Sequence, residues 1–426
     1  MQSQASFSAT YLMDAQTIAW LEDMAKPLLE TAEVPVNDTR IYLIKDKDVN
    51  AFVTARNDIF VNTGLILRAE TPAEVQGVLA HEIAHIKARH VARTLSSQQQ
   101  LSVPTIVGAV LGIGAAALGN PQAANALVIS GAAAAKSNIL KHTRSHERQA
   151  DDIAVKLLNT NQISAKGLLT FFEKLRSDQL LYSTTPPKYL LTHPLPAERL
   201  DAIQNHLDHH ESELENLSFG NINELKLIQA KLYAFGESGA RVRRKFAFQD
   251  TPEAHLANII AIALEGKITE ALERLESKPE PFNPFYHELR AQLLLDLSLF
   301  DEARIAFKEA VSLRPTSPLL QIQYAQTLSL SKHYETAIEL LIKLRTEHIT
   351  WTSIHRNLAI AYGKVGKLTL SHASLAEEAY LKGNKDDIQT HLKIAQRHMD
   401  KASPAAKKRY ELVKKELNKL TDNDNP

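Results

Sequence analysis

The sequence predicts a mainly α chain with a small β-sheet in its first half, followed by an all-α solenoid of helix pairs. Three observations carry this. Thr71-Pro72-Ala73-Glu74 is a capping box with proline at the first helical position, and the pattern behind it carries a helix to about Arg93. Before it, short β-rich runs at 40–45, 51–55 and 58–62 are separated by turn-prone Asp, Asn and Arg, as in a small sheet. After about Asp250 a period of 34 sets in: Ala291, Ala325 and Ala359 are spaced by it, as are Ala303, Ala337 and Ser371, and Phe307 with Leu341.

Taken in order, Asp14 opens a helix whose Ile18, Leu21, Met24, Leu28 and Leu29 form one apolar stripe. The sheet and the capped helix follow. The segment 101–135 is apolar and rich in small residues, broken by Asn120-Pro121. Each of its arms falls short of the ~20 residues a bilayer-spanning helix needs. It reads as an apolar hairpin touching a membrane peripherally, a lid over a cleft, or helices buried in the protein. Helices follow at 142–159, 164–179 and 197–207, with a Pro-rich, irregular stretch at 182–196. The 34-residue unit has the small and bulky positions of a tetratricopeptide helix–turn–helix, closed once by Pro315. Small residues let its two helices approach, and a bulky one fills the gap to the next pair. The register slips after Ala359, and a capping helix is expected at 404–420. The domains are therefore expected at 1–215 and 251–426, with 216–250 as connecting helix or linker.

Composition narrows the chemistry. Lys+Arg 49 against Asp+Glu 49 gives no basic surplus, which argues against nucleic acid as a partner. The absence of cysteine excludes disulfides, thiolate metal sites and a Cys nucleophile. The first residues, MQSQASFSATYLMDAQ, carry no basic segment followed by an apolar one, so no secretory signal is read there. The chain is then expected either to be cytoplasmic or to have had a leader removed.

The chemistry-bearing motif is HEIAH, His81 to His85, inside the capped helix. Residues four apart on a helix lie one turn apart on one face, so both imidazoles can reach one Zn²⁺ at about 2.0–2.1 Å. Glu82 lies beside His81, placed to take a proton from the attacking water. A catalytic zinc wants a third protein ligand and an open position. Glu147 and Asp151 in SHERQADD are also four apart on an expected helix. Glu147 can supply the carboxylate ligand, while Asp151 reaches a ligand histidine from behind and fixes its tautomer. On their own, two such acids are more often a solvated helix face; beside HEIAH they read as part of a site. His90, His142 and His146 match no ligand spacing and read as surface residues.

HEIAH, followed some sixty residues on by ExxAD and then by THPLPAERL, resembles the metallopeptidase family of HtpX and the CAAX prenyl proteases. With a C-terminal tetratricopeptide array, the pattern is similar to the periplasmic members of that family that act in outer-membrane β-barrel assembly. The resemblance implies an α+β zincin-like domain holding one zinc ion per chain on His81, His85 and Glu147. It makes Glu82 the general base and matches Asp151 to the family's second acid. It also implies that His193 lies at the active site, either stabilising the oxyanion or occupying the open zinc position in a latent state. Arg199 is expected to anchor that loop or contact substrate. The run Asn50-Ala51-Phe52-Val53 resembles the family's edge strand beside the cleft, though its composition fits a plain core strand equally. The implied function is hydrolysis of peptide bonds in misfolded or misassembled envelope proteins, periplasmic in location, with clients and assembly machinery recruited through the repeats. The alternative is an assembly chaperone or scaffold with a latched or silent peptidase centre.

Overall fold

The computed structural model describes residues 11–91, 133–181, 187–210 and 221–422, which fall into two compact units, 1–261 and 262–426. In the first unit, helix α1 (Ala15–Thr31) is capped by Asp14, which accepts from the Thr17 amide at 3.0 Å. Its apolar stripe is buried through Leu29. Strands β1 (Ile41–Ile44), β2 (Ala51–Val53) and β3 (Ile59–Asn62) form a sheet of order β1-β3-β2. β1 runs parallel to β3 with Ile41 opposite Ile59, and β2 antiparallel with Ala51 opposite Val61. Alternation places Ile41, Leu43, Ile59 and Val61 in the core, while Tyr42, Phe60 and Phe52 stack across the strands at 4.8 and 4.9 Å. β2 is an edge strand.

Helix α2 (Thr63–Arg68) leads into α3 (Pro72–Lys87), whose Thr71 hydroxyl accepts from the Glu74 amide at 3.3 Å. Glu74 reaches back to the Glu70 amide at 2.7 Å, so the helix start is satisfied locally. α3 ends at Lys87 rather than near Arg93 as the sequence predicts. Ala88 is the C-cap and Arg89 takes a positive φ of 53°, the left-handed turn that usually falls to glycine. Periodicity does not reveal this, because no glycine marks the stop.

Helices α4 (Ala133–Thr160), α5 (Lys166–Leu181), α6 (Lys188–Thr192) and α7 (Ala197–His210) follow. α6 lies inside the stretch that the prolines mark as irregular. α3 packs on α4 and α5. The α5 contact is glycine-dependent: a Cβ on Gly77 would sit 2.6 Å from the Leu168 amide, and one on Gly167 2.3 Å from the Ala73 carbonyl. Of the apolar segment 101–135, residues 101–132 lie outside the described residues, so its hairpin and membrane contact stand as expectations. Among the described residues no helix is long and apolar enough to cross a membrane. Helix α8 (Ile222–Gly236) is tied to this unit: Gln229 donates to the carbonyls of Ile66 and Ala69 at 2.9 and 2.7 Å, and Lys231 pairs with Asp14. Helix α9 (Gly239–Lys245) and the start of α10 (Pro252–Leu264) close a cluster around Ala234, Val242 and Ile260.

The second unit is all helix: α11 (Ile268–Glu276), α12 (Pro284–Asp296), α13 (Phe300–Leu313), α14 (Pro318–Leu330), α15 (Tyr334–Glu347), α16 (Thr352–Lys364), α17 (Leu368–Leu381), α18 (Lys385–Arg397) and α19 (Pro404–Asp422). The pairs beginning at Pro284, Pro318 and Thr352 start 34 residues apart. Ala291, Ala325, Ala359, Ala303 and Ala337 are buried where the paired helices meet, and Ser371 keeps the close approach by donating to the Ala359 carbonyl at 2.7 Å. The turn inside each pair needs one left-handed residue, and Ser298, Lys332 and Gly366 supply it at φ 61°, 66° and 74°, again 34 apart. The mainly α architecture with a small sheet, followed by a tetratricopeptide-like solenoid, is as the sequence predicts.

Candidate metal centre

Two helices bring the site together. α3 presents His81, Glu82 and His85, all buried, and α4 presents Glu147 and Asp151 from the facing side. Ala150, fully buried between the two acids, lets the helices approach. The chain after α6 adds His193, and α7 adds Arg199.

His81 Nε2 lies 3.1 Å from His85 Nε2 and 3.3 Å from Glu147 Oε2, and His85 Nε2 lies 3.4 Å from Glu147 Oε1. Ligands about 2.0–2.1 Å from a tetrahedral ion stand roughly 3.3 Å from one another, so the three residues fit one Zn²⁺-sized cation. His193 joins them, its Nδ1 3.0 Å from Glu147 Oε2, and one atom from each of the four residues lies within 4.8 Å of the others. This donor set of nitrogen and carboxylate oxygen suits zinc chemistry. Glu82 stands beside it, fully buried, with the Tyr189 hydroxyl as its hydrogen-bonding neighbour and His193 Nε2 at 3.6 Å.

The surroundings fix these groups. His81 Nδ1 lies 3.0 Å from Asp151 Oδ1. Asp151 in turn accepts from Arg199 Nε and Nη2 at 2.6 and 2.8 Å, a bidentate pair. Arg199 also donates to the Pro194 carbonyl at 2.7 Å, lies 3.1 Å from Glu147 and covers the Phe172 ring at 5.1 Å. It therefore holds the His193-Pro194 loop rather than facing open solvent. Burial alone would lower His81, but the hydrogen bonds to Asp151 and Glu147 raise it to about 9 when no ion is present. Burial and the neighbouring His81 push His85 well below the usual range, and burial raises Glu82. Glu147 is driven well below the usual carboxylate range: burial would raise it, but the charge and hydrogen bond of His193 and the hydrogen bond of His81 prevail. Asp151 is lowered against its burial by Arg199 and His81. A divalent cation requires Glu147 ionised and both ligand imidazoles neutral, so an ion entering the site displaces the proton that Asp151 and Glu147 otherwise hold on His81.

The sequence reading missed three residues. Tyr189 stacks on the His193 ring at 4.6 Å and is 1% exposed, with its hydroxyl toward Glu82. Its spacing of four before His193 was the available signal. His90, read as a surface histidine, is 3% exposed, because the turn at Arg89 folds it back over His85 with Nδ1 to Nδ1 at 3.0 Å. Gln149 meets the other side of that ring, Oε1 to Nε2 at 3.0 Å. His146 is half-buried and stacks on His90 at 4.3 Å, while the side chain of His142 lies outside the described residues. A cavity of about 290 Å³ joins Val53 and Thr54, at the end of edge strand β2, to His85 and Arg89.

Residues 15–207 match the model of peptidase family M48. The beta-barrel assembly-enhancing protease of Escherichia coli is 29% identical over 332 residues, 75% of this chain. The chain spans 66% of that relative's length. Metalloprotease LoiP of the same organism is 31% identical over 176 residues, 41% of this chain and 63% of its own. Among solved structures, MamA from Desulfovibrio magneticus covers 41% of this chain and 99% of its own at 19% identity, with a TM-score of 0.32.

Proposed function

We propose that this chain, whose first unit matches peptidase family M48, is a zinc-dependent endopeptidase. The observation that carries this is the convergence of His81, His85 and Glu147 at tetrahedral ligand spacing beside the buried Glu82. One zinc ion, held by those three side chains, would polarise the scissile carbonyl and make water more acidic. Glu82 removes the proton from the attacking water as its oxygen bonds to the carbonyl carbon. It then delivers that proton to the departing amine as the C–N bond breaks, and its raised affinity for protons suits both steps. Asp151 and Arg199 act through His81, fixing its tautomer and aim. The free edge of β2 can take an extended peptide by strand addition, with the cavity beside His85 receiving one of its side chains.

The similarity to a beta-barrel assembly-enhancing protease supports a role in outer-membrane β-barrel assembly; on this reading the chain works in the periplasm on misfolded or misassembled outer-membrane proteins, and the repeat unit recruits clients or assembly machinery. A second reading follows from His193. Its contact with Glu147, within the group of possible metal donors, is what a latched centre would display, and such a chain would act mainly as a chaperone until His193 withdraws. Glu82→Gln is expected to retain stoichiometric zinc while losing cleavage of an unfolded β-barrel substrate; continued cleavage would remove Glu82 from the reaction. His193→Ala separates the two roles of that histidine: faster hydrolysis of casein supports the latch, and slower hydrolysis supports help to the transition state.

A further inference from the structure

We infer that His90 is a positioning residue for His85, and that Gln149, His90 and His85 form a directed hydrogen-bond relay behind the metal site. The inference rests on the zinc reading above and extends it to residues which that reading leaves unused. His85 turns Nε2 toward His81 and Glu147, and its Nδ1 lies 3.0 Å from His90 Nδ1. Two Nδ1 atoms at that distance share one proton, so one ring donates and the other accepts. The far side of His90 decides which. Its Nε2 is 3.0 Å from Gln149 Oε1, an acceptor, so a neutral His90 carries its proton on Nε2 and keeps a lone pair on Nδ1. His85 must then carry its proton on Nδ1, which leaves Nε2 with the lone pair that a cation needs.

The backbone supports the same conclusion. On an unbroken helix, five residues turn about 500°, which would leave His90 some 140° away from His85. Instead α3 stops at Lys87, and Arg89 takes a φ of 53°, a conformation that L side chains rarely adopt. His90 is thereby brought back over His85, 3% exposed, with the His146 ring flat against it at 4.3 Å and 13°. The two ligand histidines are thus held differently. An ionised acid backed by arginine holds His81, and a neutral imidazole backed by a carboxamide holds His85.

The test is zinc affinity of the full chain, measured by competition with a chromophoric chelator, for wild type, His90→Leu, His90→Asn and Gln149→Met. His90→Leu keeps bulk but cannot accept, and is expected to weaken zinc binding about ten- to hundredfold. His90→Asn restores an acceptor oxygen and is expected to bind within about threefold of wild type. Gln149 is exposed, so Gln149→Met tests the relay without threatening the fold, and weakening of severalfold is expected. Equal weakening of the Leu and Asn variants would mean a packing role only, and wild-type affinity in the Leu or the Met variant would overturn the relay. A wild-type chain that binds no zinc would instead overturn the peptidase reading, and the inference with it.

Discussion

Asp151 serves two partners with one carboxylate, accepting from Arg199 while fixing His81. Removing it takes the bidentate partner from the buried Arg199 guanidinium and leaves only Glu147 at 3.1 Å as counter-charge; breaking a buried pair costs about 3–5 kcal/mol. Asp151→Ala should lose stability of that order in urea unfolding; a loss under about 1 kcal/mol would mean that Glu147 and the Pro194 carbonyl suffice for Arg199. Glu147→Gln is milder for the fold and harsher for the metal: zinc content should fall sharply, and unchanged stoichiometry would count against Glu147 as a ligand. At this scale the sequence carried much of the site. The fourfold spacing of His81 with His85 and of Glu147 with Asp151 is a one-face signal visible in the letters. His90 was not visible, because its place depends on a left-handed Arg89 that composition does not mark.

At the scale of elements, the contact of α3 with α5 positions the motif helix. Gly77 and Gly167 are the points of closest approach, and an added methyl would meet backbone at 2.6 and 2.3 Å. Gly77→Ala or Gly167→Ala should destabilise the first unit by about 1–3 kcal/mol, as overpacking does, and lower zinc retention by shifting His81. A neutral effect on both would show that α5 does not position the helix. Arg89→Gly should act the other way, raising stability by up to about 1 kcal/mol because glycine adopts positive φ without a Cβ penalty. A drop in melting temperature would show that the arginine side chain contributes more than its backbone costs. Capping chemistry at Thr71 announced where α3 begins, whereas its end was misplaced by several residues. The three short strands were legible as β-rich runs between turn-prone residues; α6 was hidden among prolines.

Across the second unit, three glutamates are buried among the described residues, Glu288, Glu377 and Glu378, and Glu377 draws charged partners from three other helices. Glu377 on α17 meets His355 on α16 at 3.5 Å, Arg409 on α19, and Arg345 on α15 at 4.0 Å. Burial would raise it, but the hydrogen bond and charge of His355, then the two arginines, hold it below the usual carboxylate value. A folded value below the unfolded ~4.3 means that Glu377 stabilises the fold above about pH 4.3, and that this contribution fades as pH falls through the folded value. Glu377→Gln should therefore flatten the acid limb of the melting-temperature profile of the full chain, and an unchanged limb would place the acid sensitivity elsewhere. The 34-residue spacing made the solenoid legible, because each repeat needs the same alanine contacts and the same left-handed turn. Glu377 lies where that period slips, and no periodic argument could have found its partners. Peptide hydrolysis at this site depends on a cation between α3 and α4. Anomalous diffraction at the zinc edge from crystals of the full chain tests this most directly. One peak is expected about 2.0–2.2 Å from His81 Nε2, His85 Nε2 and a Glu147 oxygen. A zinc-loaded crystal with no peak there, or with its peak on other residues, would contradict it.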